Sequence, residues 1–266
     1  NADLLKNIAT ERVISEFLKL ICGKDAVKIL DAYRETIAVI IPEITVMFNF
    51  NQNNIHHSYD LWQHTLTALG TIEPNSILRM TMLLHDIGKP FVKTTDNSGQ
   101  SHFQGHQLES KKIADKILHR LRLPSDFINK TLLLIEYHDV RFNGRGKKLM
   151  KKVMNVLGTD LTKQLLEVEY ADISAQSEYQ REEKLGYLKN AKTHLNEIIK
   201  DNECFKLSQL DINGKDVLNL GVKEGRDVGN ILDYLLMLVV DANVPNKKSI
   251  LISKAEEYIY GNQINK

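Results

Sequence analysis

Apolar side chains recur along this chain at helical spacing. Val13, Phe17, Leu20 and Ile21 share one face; Leu132, Leu133 and Ile135 belong to a second, and Ile231, Leu235 and Leu238 to a third. Alternation of apolar and polar residues, the mark of a half-buried strand, is scarce. Pro42, Pro74, Pro90, Pro124 and Pro245 stand where the pattern places helix ends or starts. The expectation is an all-α fold in three segments. Residues 1–50 form two or three helices ending at Ile41-Pro42-Glu43. Residues 51–200 hold most of the histidines. Residues 201–266 form a last helical unit behind the polar stretch Lys200-Asp201-Asn202-Glu203.

Composition narrows this only slightly. At 266 residues the chain has length for one large domain or two small ones. A formal net charge of +1 means that any contact with nucleic acid must come from a local patch. No apolar run is long enough to cross a bilayer and no leader pattern is present, so no membrane partner is expected and cytoplasmic is the default location. Cys22 and Cys204 are far apart, fit no metal motif, and read as small thiols in or near the core. The chain begins at Asn1-Ala2 rather than Met, which is expected of a piece of a longer protein.

The candidate chemistry lies in the middle segment. Leu83-Leu84-His85-Asp86-Ile87-Gly88-Lys89-Pro90 sets a His beside an Asp at the end of an apolar run, before a Gly and a Pro that stop a helix. His85 follows Leu78 and Met82 on an apolar face, and His64 shares a face with Leu61 and Ala68. Asp172 continues Leu165 and Val168. An ionised Asp turned toward a core is costly unless it is paired or bound to a cation. Singly, each residue reads as a satisfied core His or a helix cap. Together, His64, His85, Asp86 and Asp172 imply one shared cation. Mixed imidazole and carboxylate ligation suits Mn, Ni, Co, Fe or Zn better than Ca, with Mg also admitted. His106 and His138 could hold a second ion with Asp86 as the bridge, and two such ions clamp a phosphoryl group and activate water. His56, His57, His102, His119 and His194 are expected at the surface.

His64, His85-Asp86 and Asp172 resemble the H…HD…D signature of the HD-domain metal-dependent phosphohydrolases, and Leu84-His85-Asp86-Ile87-Gly88-Lys89 is similar to that family's central motif. The resemblance implies hydrolysis of a nucleotide or other phosphoester by a metal-activated water, with Asp86 and Lys89 as catalytic residues. Lys89 would meet a phosphate oxygen, or else simply be a helix-end cation.

The flanks resemble the part of bacterial tRNA nucleotidyltransferases and poly(A) polymerases that follows the catalytic head. Ala9 to Ile21 and Ile40-Ile41-Pro42-Glu43 look like its RNA-binding segment. Tyr59 to Leu66 resembles its HD domain. Leu210 to Val217, Leu220-Gly221-Val222 and Gly229 to Leu232 look like its C-terminal helical domain. That resemblance implies tRNA as a partner. The head of that family needs an Asp-x-Asp pair for Mg²⁺, and this sequence contains none. Two readings stand: a divalent-metal phosphohydrolase, or a tRNA-binding module whose HD pocket is vestigial. The basic run Arg141, Arg145, Lys147, Lys148, Lys151 and Lys152 is either a contact for phosphate or RNA backbone, with Arg145, Lys147 and Lys148 foremost, or a solvated loop and helix start. Asp211 to Gly214 reads as turn chemistry. The sequence leaves the oligomeric state open.

Overall fold

The computed structural model describes residues 2–144, 146–222 and 225–264. Their regular structure is helical apart from one short hairpin, as the periodicity predicts. The hairpin pairs Thr94–Thr95 with Ser101–His102, antiparallel. Its turn is held by Asp96, whose carboxylate accepts from Ser98 N–H and Gln100 N–H, and by Gly99 at φ 86°. Two paired residues per strand are too few for alternation to register in sequence. No helix among the described residues is long and apolar enough to cross a membrane.

The chain divides into two compact units that are interleaved in sequence: Asn1–Arg141 with Lys163–Leu188, and Phe142–Thr162 with Lys189–Lys266. Two long helices belong to both. Gly146–Ala175 is broken at Gly158, whose φ of 72° and ψ of 175° are open mainly to glycine. Arg181–Lys200 is the other.

In the first unit the helix Ser76–Leu84 is buried from Leu78 to Leu84. Asn75 starts it, its side chain accepting from Ile77 N–H and Leu78 N–H. Leu61–Thr71 is started likewise by Asp60, which accepts from Gln63 N–H at 2.8 Å. Trp62 on that helix is fully buried, edge-on to Phe48, with Nε1 donating to Asp31. On Thr10–Ile21 the buried stripe is Ile14, Phe17 and Ile21; Val13 and Leu20 flank it half-buried. Ser125–Tyr137 packs on Ser76–Leu84, as do Leu61–Thr71 and Thr10–Ile21, and His106–Arg120 packs in turn on Ser125–Tyr137.

Gly88 fixes the approach of the His85-Asp86 turn to the helix His106–Arg120. A Cβ there would stand 2.5 Å from Ser110 N and 2.6 Å from His106 O. The bare backbone lets Gly88 N–H donate instead to Ser110 Oγ at 2.8 Å.

The second unit has its own core, with Ile212, Val217, Ile231, Leu235, Val239 and Leu251 buried together with Cys204. Asn213 and Asp216 cap the helix Gly214–Leu218 reciprocally. Asp211 accepts from Lys248 N–H at 2.8 Å. The Asp211–Gly214 stretch thus acts through side-chain capping, with Asn213 in the extended region. Both cysteines are free thiols, Cys204 buried and Cys22 half-buried.

Candidate metal centre

Three helix ends and two helix faces converge on Asp86. His85 ends the helix Ser76–Leu84, His138 ends Ser125–Tyr137, and His106 opens His106–Arg120. His64 projects from Leu61–Thr71 and Asp172 from Gly146–Ala175. Two of these are helix C-termini, whose dipoles favour a cation.

The carboxylate of Asp86 faces two ways. Its Oδ2 lies 3.2 Å from His85 Nε2 and 3.4 Å from His64 Nε2. Its Oδ1 lies 3.2 Å from His106 Nε2 and 3.6 Å from His138 Nε2. Asp172 Oδ1 closes the first group, 2.9 Å from His64 Nε2 and 3.5 Å from His85 Nε2. His64, His85, Asp86 and Asp172 form one set of candidate ligands; Asp86, His106 and His138 form another.

Every imidazole in the cluster turns its other nitrogen to a main-chain carbonyl. Nδ1–H of His85 donates to Met82 O (2.7 Å), of His138 to Ile135 O (2.7 Å), of His106 to Phe103 O (2.8 Å) and of His64 to Ala175 O (3.3 Å). This assigns the protons from the hydrogen-bond network and leaves each Nε2 with a lone pair aimed inward. Lone pairs then meet lone pairs. His106 Nε2 is 3.1 Å from His138 Nε2, and His64 Nε2 is 2.9 Å from Asp172 Oδ1. His85 Nε2 and both Asp86 oxygens are buried with no hydrogen-bond partner. Lys89 Nζ lies 2.6 Å from Asp86 Oδ2, an ion pair outside hydrogen-bond alignment. Such an arrangement needs protons or cations between its acceptors, and the donor set fits divalent ions with imidazole and carboxylate preference.

The protonation pattern reports the same demand. Burial works against a charged His85, but Asp86 and Asp172 outweigh it and push its pKa up to about 10. Burial likewise opposes ionised Asp86 and Asp172, yet the neighbouring imidazoles, with Lys89 beside Asp86, hold both well below the usual carboxylate range.

The structure therefore brings together His64, His85, Asp86, Asp172, His106, His138 and Lys89. Lys89 is buried, donating to Gln52 Oε1 at 3.1 Å. Arg145 lies outside the described residues. Lys147 pairs with Glu203 and Glu197, and Lys148 with Asp241; Lys151 and Lys152 pair with the same Glu203 and Asp241. Their ammonium groups are thus already matched by carboxylates of the second unit. His102 and His119 are exposed, as expected. His57 is not at the surface: it stands edge-on to His64 with centroids 5.0 Å apart, half-buried, its pKa lowered to about 2 by burial and then by Lys89. Sequence reasoning also passed over Gln52 and Glu169. The latter is buried one turn before Asp172, and burial holds its carboxyl well above the usual range, helped by Asp172 and Asp139. Its i−3 spacing from Asp172 was the available signal.

Comparison with known proteins gives the class. Residues 106–255 match the family model described as "tRNA nucleotidyltransferase domain 2 putative", and residues 1–48 match "Probable RNA and SrmB- binding site of polymerase A". The chain belongs to the tRNA nucleotidyltransferase family. Among its relatives is the CC-adding tRNA nucleotidyltransferase of Thermus thermophilus, 29% identical over 90% of this chain and 55% of that protein. The A-adding tRNA nucleotidyltransferase of Deinococcus radiodurans is 28% identical over 57% of this chain and 39% of its own length. A multifunctional CCA protein of Legionella pneumophila is 27% identical over 50% of this chain and 33% of its own. The chain thus spans about half, or less, of the length of these relatives.

Proposed function

We propose that this chain is the tRNA-binding region of a tRNA nucleotidyltransferase-type protein. The observation that carries this reading is the pair of matches at 1–48 and 106–255, one of them to an RNA-binding site. With no Asp-x-Asp pair in its sequence, the chain has no carboxylates in the arrangement that nucleotide addition needs. We divide it by role into an RNA-binding segment at 1–50, an HD-type domain at 51–200 and a helical tail at 201–266. Binding of unmodified tRNA, followed as salt is raised from 50 to 200 mM, tests this. Affinity should fall at least about tenfold, with log K linear in log salt. Absence of tRNA binding at the lower salt overturns it.

A second reading is favoured by the unpartnered Asp86 oxygens and His85 Nε2. In it, His64, His85, Asp86 and Asp172 hold one divalent ion, and Asp86, His106 and His138 a second. Such ions polarise a phosphoryl oxygen and lower the pKa of water. The chain's own part is to aim each Nε2 through its Nδ1–H bond to a carbonyl and to balance Asp86 with Lys89. The activity would be phosphoester hydrolysis, on a nucleotide or an RNA 3′ end. It sits comfortably beside tRNA binding. A phosphoester screen with Mn, Ni, Co and Mg tests it, run beside His85→Ala. Turnover should appear with at least one metal and vanish in the variant; equal turnover in both refutes this assignment.

A further inference from the structure

A turn of the first unit, residues 176–180, is pinned beside the Asp172 edge of the cluster. Ser177 N–H donates to His56 O at 2.8 Å and Ser177 Oγ donates to Ile55 O at 2.6 Å. Arg181 closes the turn with bonds to Gln176 O and Ser177 O. Gln176 is a relay: its Nε2 donates to Asp172 Oδ2 at 2.8 Å, and its Oε1 accepts from Lys184 Nζ at 2.6 Å. Lys184 also donates to His56 Nδ1 at 3.3 Å.

Lys184 differs from the lysines of the basic run. It is half-buried, yet among the described residues no carboxylate oxygen pairs with it, and its two bonds leave one of three N–H donors over. Burial lowers its pKa, as expected of a cation held in a partly dry place with no anion in contact. Arg141, 77% exposed and only loosely paired with Asp139 (Nε to Oδ1 3.7 Å), is close enough for its charge to act on both Lys184 and His56. Beside them the His56 ring packs on Tyr179 at 5.0 Å between centroids, and Tyr179 is 47% exposed.

We propose that Lys184, Arg141 and the Tyr179–His56 pair form a nucleoside-phosphate subsite at the rim of the metal centre. The two cations take the phosphate, and the ring of Tyr179 stacks on the base. The assignment rests on the metal-centre reading above and adds to it the residues that hold the base and the phosphate, and with them a selection against sugar phosphates and inorganic phosphate. The residues involved are outside the candidate ligand set, so binding can be altered without emptying the centre.

The test is calorimetric titration of the full chain, loaded with Mn²⁺, with AMP, ribose 5-phosphate and inorganic phosphate. AMP should bind about tenfold tighter than ribose 5-phosphate. Tyr179→Ala should erase that gap. Lys184→Met should weaken all three ligands by about tenfold. Arg141→Ala, a change at an exposed side chain that does not endanger folding, should weaken them in the same direction. Mn²⁺ stoichiometry should stay unchanged in all three variants. Normal Mn²⁺ uptake with equal affinity for AMP and ribose 5-phosphate overturns the subsite alone, as does unchanged phosphate binding in both cation variants. Failure of the wild type to take up Mn²⁺ overturns the metal-centre reading and the subsite with it.

Discussion

Replacement of Gly88 by alanine probes how closely the two halves of the cluster are held together. A Cβ at this position would meet Ser110 N at 2.5 Å and His106 O at 2.6 Å. Carbon contacts settle near 3.5 Å, so the helix His106–Arg120 must withdraw by about 1 Å. Both colliding atoms are main chain, which no rotamer change can relieve. Overpacking of this kind costs about 1–3 kcal/mol. The bond from Gly88 N–H to Ser110 Oγ, 2.8 Å long, stretches at the same time, for about 1 kcal/mol more. The sum, about 2–4 kcal/mol, corresponds to a fall of about 4–16 °C in the melting temperature of the unit that contains residue 88. His106 moves with its helix away from Asp86, so the second ligand set should open while the first, on His64, His85 and Asp172, persists. Scanning calorimetry and Mn²⁺ titration read the two effects together. A Gly88→Ala protein that melts within about 1 °C of the wild type would refute the packing argument.

Trp62→Ala removes a fully buried indole, its edge contact with Phe48 and its bond to Asp31; urea unfolding should show a loss of about 3–5 kcal/mol, and less than 1 kcal/mol would contradict the placement. In the second unit, burial raises the pKa of Glu203, but Lys147 and Lys151 outweigh it and hold the group below its ordinary value; Lys152 and Lys148 do the same for Asp241 against a smaller effect of burial. Folded-state values below the unfolded ones stabilise at pH above about 5 and lose that contribution as pH falls through the folded values, so the midpoint of this unit should drop between about pH 5 and 2, and Glu203→Gln should flatten the drop. An unaltered acid profile in Glu203→Gln would count against these pairs. Asn213→Ala should lower stability by about 1 kcal/mol through loss of the cap on Gly214–Leu218, read by chemical denaturation; no change would deny that the cap matters.

The helical character of the chain was legible because apolar spacing is a local signal, and the five prolines marked the gaps between helices. His64, His85 and Asp172 were legible for the same reason: a polar residue kept on an apolar stripe must be satisfied by something. His106 and His138 were weaker in sequence, since they act from helix ends where periodicity says little about direction. What no spacing could reveal was the shared use of Asp86, one oxygen toward each histidine pair, or the carbonyl bonds that turn every Nε2 inward. His57 stands in a loop without an apolar stripe, where sequence alone implies a surface position, yet long-range packing sets it against His64. Sequence leaves the basic run undecided between a phosphate contact and a solvated face because its carboxylate partners, Glu203 and Asp241, come from sequence positions about 50 and 90 residues away. The interleaving of the two units has the same origin: contacts between segments distant in the chain leave no mark on local composition.

Mn²⁺ content after dialysis of the full chain, compared with Asp86→Asn of nearly the same shape, bears most directly on the cluster as a metal centre. The account predicts one or two ions retained per wild-type chain and loss of that retention in the variant, with folding preserved by circular dichroism. A wild type that leaves dialysis empty, or a variant that keeps as much manganese, would contradict it.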